Sequence, residues 1–174
     1  GITPLEGVIM GTRSGSMDPA VVQYICNNEH ISVDEMLTIC NKKSGLLGIS
    51  GLSSDMRDID KAADEGNERA NIARDMLVYG IRKYIGSYAA AMNGVDVVIF
   101  TAGVGENAPS TRAHILEGLE FMGITCDEEK NNTRGEERII SKDGAPVTVM
   151  VIPTNEELMI AQDTLSIVEE NKNK

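Results

Sequence analysis

Apolar residues recur every three or four positions along several stretches of the chain, a spacing typical of amphipathic helices. This pattern predicts the longest helix over residues 68–92, ended by Asn93-Gly94. Its inward stripe is made by Ala70, Ala73, Leu77, Ile81, Tyr84 or Ile85, Tyr88 and Met92. Shorter helices are predicted to begin at the capping residues Asp18, Ser32 and Asp55 and to end near residues 27, 43 and 64. The three glycines of residues 44–54 predict a turn-rich connector.

Continuous apolar runs predict strands in the second half of the chain. Residues 95–101 (VDVVIFT) are bounded by turn residues, which is typical of a strand covered on both faces. A glycine loop and a helix over about 110–122 follow, then exposed polar residues over 125–137 and two strands near 138–141 and 147–152. The last helix is predicted to begin at Thr154 and to direct inward Leu158, Ala161, Leu165 and Val168.

Strand–loop–helix units of this kind indicate an α/β fold. Three or so strands are too few for a complete sheet around such helices. We therefore expect residues 1–174 to form one domain of a larger protein, with part of the sheet lying before Gly1.

Charge and cysteine content narrow the possible partners. The 174 residues carry 16 Lys and Arg against 27 Asp and Glu, a net charge of −11, so nucleic acid and anionic membranes are not expected partners. The chain has no apolar run of membrane-spanning length, and its first residues lack a basic region followed by an apolar stretch, so a signal peptide is not expected there. Three widely spaced cysteines do not form a disulfide framework, and we expect reduced thiols in a cytoplasmic protein.

The segment FTAGVGEN (100–107) is the most informative for chemistry. Its glycines follow a buried strand, where ligands of open α/β sheets bind, and they allow a ligand to approach the backbone closely. It lacks the third glycine of a dinucleotide fingerprint. A tight turn between a strand and a helix remains an equal interpretation.

Two arginine-containing segments offer further candidates. In SSDMRD (53–58), Asp55 and Arg57 are placed to hold a polar ring or a ribose, although a helix cap beside a solvated arginine explains them as well. In GTRSGS (11–16), Arg13 lies between glycines and is suited to stabilise a transferring phosphoryl group; an exposed loop arginine is the alternative.

The segment PTNEEL (153–158) reads mostly as the start of a helix. Thr154 and Glu157 have the spacing of a capping box, which leaves Glu156 without a structural task. Its carboxylate is suited to hold Mg²⁺ directly or through water, or to be solvated.

Together with TPLEG (3–7), these segments resemble the acetate/propionate kinase family. MGTRSG (10–15), SGLSSDMRDI (50–59), FTAGVGEN and PTNEELMIA (153–161) occur in the order found in the C-terminal half of that family. The resemblance implies a ribonuclease-H-like, actin-like ATPase fold, shared with sugar kinases and heat-shock chaperones, of which this chain is an incomplete C-terminal lobe. It also implies reversible transfer of the ATP γ-phosphoryl group to acetate, giving acetyl phosphate and ADP, with Mg²⁺ or Mn²⁺ as cofactor.

The resemblance also implies roles for individual residues. Arg13 corresponds to the transition-state stabiliser, Glu156 to the metal-associated glutamate and Pro4 to a wall of the acetyl pocket. The implied nucleotide-binding residues are Asp55, Met56, Arg57, Gly103, Val104, Gly105, Glu106 and Asn107.

Other catalytic groups of the family belong to its N-terminal half, so we expect this chain to be inactive alone and to need that missing lobe. The resemblance implies a homodimer formed through the C-terminal domain. A propionate or butyrate kinase and a non-catalytic nucleotide-binding module remain alternatives.

Overall fold

A computed structural model describes residues 2–172 of the chain. These residues divide into two compact units. Unit 1 holds residues up to Val95 together with His114–Leu119, and unit 2 holds Asp96–Ala113 and the residues from Glu120 onward. Whether the chain acts as one domain stays a prediction.

Unit 1 is built from helices. Its elements are α1 (Pro19–Glu29), α2 (Val33–Lys42), α3 (Gly45–Ser50), α4 (Met56–Asp64) and α5 (Glu68–Met92). The predicted caps are confirmed: Asp18 accepts from the amide of Ala20, and Ser32 forms a capping box with Glu35. Asn93 ends α5 in the left-handed conformation, as its sequence predicts.

The core of unit 1 lies among α3, α4 and α5. It contains the buried residues Leu46, Met56, Ile59, Ala63, Ala70, Ala73 and Leu77. The predicted α5 stripe is therefore correct over its first half. It is wrong further along, where Tyr88 and Met92 are exposed.

The turn-rich connector predicted over residues 44–54 is also wrong in part, because α3 occupies its centre. Gly45 begins this helix with a positive φ of 60°, and Gly51 ends it in the left-handed conformation. The glycines thus mark the two ends of a short helix, and the apolar residues between them join the core.

Unit 2 contains a three-stranded sheet. β1 (Val97–Phe100) pairs in parallel with β3 (Thr148–Val151), and β2 (Arg138–Ile139) pairs antiparallel with the other edge of β3. The register places Phe100 opposite Val151. The helices are α6 (Ala102–Asn107), α7 (Pro109–Leu116, which continues into unit 1), α8 (Glu128–Asn131) and α9 (Glu156–Lys172), with a 3₁₀ helix at Glu120–Met122. The α/β class is confirmed.

Several expectations for unit 2 are corrected. The strand at 97–100 is not covered on both faces, since Val97 and Ile99 are 45% and 52% exposed. The glycine loop that was expected after it is the short helix α6. The helix expected over 110–122 breaks at Gly118, whose φ of 82° is incompatible with a continuing helix.

The last helix also differs from its prediction. Every described residue of α9 is exposed, so the predicted inward stripe of Leu158, Ala161, Leu165 and Val168 is not buried within the described structure. Its cap is the side chain of Asn155, which accepts from the amide of Leu158, because Thr154 is bonded elsewhere. The expected capping box of Thr154 and Glu157 is therefore wrong.

The polar segment 125–137 is only partly exposed. Asn131 and Thr133 are buried, because both bond to Arg112 as described below. All three cysteines are free thiols, as expected. Within residues 2–172, no helix is long and apolar enough to cross a membrane.

Candidate functional site

In unit 1, the turn that carries Arg13 is held by backbone hydrogen bonds. The carbonyls of Met10, Gly11 and Thr12 accept from the amides of Leu46, Leu47 and Ser44 at 2.9 Å each. The Arg13 backbone is thus fixed against the start of α3. Its guanidinium contacts the sulfur of Met10 at 4.0 Å and makes no ion pair with the residues that the structure describes. A cationic head on a fixed backbone is available to an anionic ligand.

The segment with Asp55 and Arg57 lies against the same turn. A Cβ on Gly11 would come within 2.8 Å of the carbonyl oxygen of Ser54, so only glycine allows this approach. The structure therefore brings together two of the segments singled out from the sequence. Pro4 is in the same unit, in an exposed turn near the start of the described chain.

Asp55 and Arg57 bind each other. Asp55 caps α4 by accepting from the amide of Arg57 at 2.9 Å, and the Arg57 guanidinium donates to both carboxylate oxygens, at 2.6 Å to Oδ2. Hydrogen bonds from Arg57 lower the pKa of Asp55 to about 2. The Arg57 side chain stays 87% exposed, which leaves its planar face open to a ring.

Met56 lies between these two residues but is buried in the core of unit 1. Its side chain therefore serves packing, and only its backbone is left for a ligand.

In unit 2, the candidate residues follow the carboxyl ends of two neighbouring parallel strands. Gly103–Asn107 come after β1, and Glu156 comes after β3. A Cβ on Gly103 would meet nothing within 4 Å, so the backbone there is open to a ligand. Val104 and Asn107 are exposed, and Asn107 donates to the carbonyl of Gly103 at 3.0 Å.

Glu106 joins the two segments. Its Oε1 accepts from the amide of Ala102 at 2.7 Å, from the amide of Thr154 at 2.7 Å and from the hydroxyl of Thr154 at 3.0 Å. The Thr154 amide is the main cause that lowers the pKa of Glu106 from its ordinary value. Sequence analysis placed Glu106 in the candidate site but did not find its partner.

Glu156 is the first residue of α9 and is exposed. It makes no hydrogen bond or ion pair with other residues of the described chain. No group of three or more acidic, histidine or cysteine side chains over residues 2–172 is arranged to hold a metal ion. A lone carboxylate still fits Mg²⁺, which usually takes one or two carboxylates together with waters and substrate phosphates.

Sequence analysis missed Arg112, which anchors the glycine segment. Its fully buried guanidinium donates to the carbonyls of Gly105 at 2.8 Å and Glu106 at 3.0 Å, and it also bonds Asn131 and Thr133. A signal was present: Arg112 lies three and four positions before the buried residues Ile115 and Leu116, on the inward face of α7.

Comparison with known proteins adds to these observations. The model of the Acetokinase family matches residues 1–162. The acetate kinase of Desulforamulus reducens is 56% identical over 168 residues, which cover 97% of this chain and 42% of that protein. The chain therefore spans less than half the length of the curated relatives it matches.

Solved structures show the same likeness. Acetate kinase from Porphyromonas gingivalis superposes with a TM-score of 0.91 at 51% identity, covering 97% of this chain and 42% of that chain. A propionate kinase from Francisella tularensis superposes with a TM-score of 0.86 at 42% identity, covering 93% of this chain and 41% of that chain. On the family match and this identity over nearly its whole length, the chain belongs to the Acetokinase family.

Proposed function

We propose that this chain is the C-terminal, nucleotide-binding lobe of an acetate kinase with an actin-like ATPase fold. The complete protein would transfer the γ-phosphoryl group of ATP to acetate reversibly, giving acetyl phosphate and ADP. Because the chain spans about 42% of its relatives, we assign the remaining catalytic groups to an N-terminal lobe. We expect residues 1–174 alone to bind nucleotide without turnover.

One observation carries the proposal. Two candidate segments leave the same edge of a parallel strand pair and are joined through Glu106 and Thr154. Ligands of open α/β sheets bind at the carboxyl ends of strands. A nucleotide beside Gly103–Asn107 and a divalent cation near Glu156 would thus share one edge of the sheet.

Arg13 is assigned to the transferring phosphoryl group. Attack by a carboxylate on ATP brings negative groups together, so positioning and charge screening supply most of the catalysis. The backbone of Arg13 is fixed by α3, and its guanidinium has no carboxylate partner in the described structure. Its positive charge is therefore free to stabilise the negative charge on the transferring phosphoryl group.

Each unit carries candidate nucleotide-binding residues. In unit 1, Asp55 and Arg57 form a paired, exposed surface suited to a ring or ribose, with Met56 contributing backbone. In unit 2, the open backbone at Gly103 and the exposed Val104 and Asn107 would lie along the nucleotide, with Gly105 and Glu106 behind them.

Glu156 is assigned to Mg²⁺ or Mn²⁺, directly or through water. Its free carboxylate supports this role, and the ion, when bound, screens the phosphate charge of the nucleotide.

The proposed acyl substrate is acetate, and longer acids are the alternatives. Pro4 is proposed as one wall of the acyl pocket and is exposed in this chain. The likeness to a propionate kinase structure favours propionate as the second candidate substrate, and butyrate is tested beside it.

A homodimer in the cytoplasm completes the proposal. Exposed apolar residues of α5, among them Ile72, Met76 and Tyr79, support contact with a second copy. The three free thiols suit a reducing compartment.

Acyl phosphate formation tests the function. Hydroxylamine traps acyl phosphate made from ATP, Mg²⁺ and acetate, propionate or butyrate, in parallel for residues 1–174 and for the complete product of the gene. Acetate-dependent product from the complete protein alone supports the proposal. Normal nucleotide binding without product from any acid would favour the non-catalytic module, and turnover by residues 1–174 would contradict the divided active site.

A further inference from the structure

The helix α6 after β1 and the segment after β3 leave the sheet of unit 2 side by side. β1 and β3 are parallel neighbours, so the chain turns away from both strands at the same edge. Glu106 belongs to the helix after β1, and Thr154 lies three residues beyond the last residue of β3. A side chain that bridges these two positions holds α6 against the segment that leads from β3 to α9.

The bridge is concentrated on one atom. Oε1 of Glu106 accepts the amide of Ala102, the amide of Thr154 and the hydroxyl of Thr154, at 2.7, 2.7 and 3.0 Å. Hydrogen bonds to an ionised acceptor are stronger than neutral ones. Loss of this one atom would remove all three hydrogen bonds.

The Ala102 contact supports an unusual backbone. Ala102 has a φ of 59°, a conformation that residues with a Cβ rarely adopt. Backbone of this kind persists only where its surroundings hold it, and it is concentrated at functional sites. The carboxylate of Glu106 is one of the groups that hold it, through the amide of Ala102.

Glu106 is itself held firmly. Its carbonyl accepts from the buried guanidinium of Arg112 at 3.0 Å, and Gly105 is bound by the same nitrogen. The backbone that carries the Glu106 carboxylate is therefore held in place. On the other side of the bridge, Thr154 is two residues from Glu156, and Asn155 between them caps α9.

We propose that Glu106 is a positioning residue that couples nucleotide binding to divalent-cation binding. Its carboxylate sets the backbone at Ala102 for the nucleotide and, through Thr154, the start of α9 for Glu156. This proposal rests on the proposed function, and it assigns Glu106 an indirect contribution where a direct contact with the nucleotide was expected.

The experiment compares E106A, E106Q and the matched control E169A in the 174-residue chain. Glu169 is an exposed acid near the C-terminal end of α9, away from α6 and from the segment that holds Thr154. Amide hydrogen exchange by NMR reports on Ala102 and Thr154 without ligand. Calorimetry then measures ADP affinity with Mg²⁺ and with a chelator, and their ratio is the coupling between the two ligands.

In E106A, we expect faster exchange at both amides, ADP affinity in Mg²⁺ about tenfold weaker, and a coupling ratio several-fold smaller than that of the parent chain. Some coupling should persist, because Glu156 and the nucleotide phosphates still bind the ion. E106Q keeps an Oε1 acceptor and should retain most of the protection and coupling. E169A should match the parent chain. If E106A does not fold, T154V, which removes only the hydroxyl donor, should show a smaller loss in the same direction.

Equal loss of ADP affinity in E106A and E106Q, with protected amides in both, would overturn the proposal in favour of direct contact through charge. Unchanged coupling in E106A would overturn it as well. A parent chain that binds no ADP would instead contradict the proposed function, and this proposal with it.

Discussion

Arg112 donates a hydrogen bond of 2.8 Å from Nη1 to the carbonyl oxygen of Gly105, from a position with no solvent exposure. The other nitrogens of the guanidinium bond Asn131 and Thr133, at 2.7 to 2.9 Å. These acceptors are carbonyl and amide oxygens, and burial lowers the pKa of Arg112. A buried cation thus ties the glycine segment to the chain around α8.

Replacing Arg112 with Met should destabilise unit 2. The change leaves several buried carbonyl oxygens without donors, and we expect the free energy of unfolding to fall by about 3 kcal/mol. Lys supplies fewer donors than Arg, in a different geometry. Arg112→Lys should therefore be more stable than Arg112→Met but less stable than the parent chain. Urea unfolding, followed by NMR signals of unit 2, measures both.

The control is Arg134→Met, which changes an exposed arginine of the same unit. Its effect should stay within about 0.5 kcal/mol. Equal losses for the two arginines would contradict the anchoring role of Arg112.

Substitutions at Ala102 should follow its positive φ of 59°. Val should destabilise by about 1–2 kcal/mol, since β-branched residues resist this conformation. Gly should stay within about 1 kcal/mol of Ala, because relief of strain offsets its greater unfolded entropy. Thermal unfolding compares them. At Ala108, where φ is −118°, the order of Val and Gly should reverse.

The cap at the start of α4 should be lost only at low pH. Arg57 lowers the pKa of Asp55 to about 2. A lowered folded-state pKa means that the stabilisation is present above the unfolded value of about 3.9 and is lost as pH falls through about 2. Carboxyl carbon NMR should follow this titration, and Arg57→Gln should move it toward the ordinary range. Arg69→Gln, at an arginine that bonds backbone carbonyls of α3, should leave it unchanged.

Removing Arg13 should separate turnover from nucleotide binding. In the complete protein, Arg13→Gln should lower kcat about 10²–10³-fold, since a cation on the transferring group acts mainly in the transition state. The KM for ATP should change little. Steady-state kinetics with Lys42→Ala as the exposed control checks this. Equal losses in kcat and in ATP affinity would contradict the assigned role.

Glu156→Gln should weaken binding of the divalent cation. Loss of the charge at the start of α9 should raise the Mg²⁺ concentration that gives half-maximal ADP affinity by about tenfold, while ADP affinity in chelator stays the same. Calorimetry at graded Mg²⁺ measures this, with Glu157→Gln as the neighbouring control. An identical Mg²⁺ requirement in both variants would argue against Glu156 as the metal carboxylate.

Capping residues in the sequence correctly predicted the ends of those helices that are fixed by hydrogen bonds between residues close together in the chain. The caps at Asp18, Ser32, Asp55 and Asn93 were correct because each bonds a backbone group within a few positions. The α/β class followed from the strand–loop–helix pattern, and the family followed from motifs that occur in a fixed order along the chain. The glycines at 45 and 51 were identified as turn residues, but whether each begins or ends a helix depended on the core around it.

The sequence by itself therefore determined α1, α2, α4 and α5 with the caps at Asp18, Ser32, Asp55 and Asn93. It also determined the α/β class and the candidate residues Arg13, Asp55, Glu106 and Glu156. Only the tertiary structure decided which partners these residues have. Thr154 bonds Glu106 across 48 positions instead of capping its own helix, and Arg112 reaches carbonyls up to 21 positions away. Such choices depend on which strands lie side by side and which face is buried, and no local pattern contains that information.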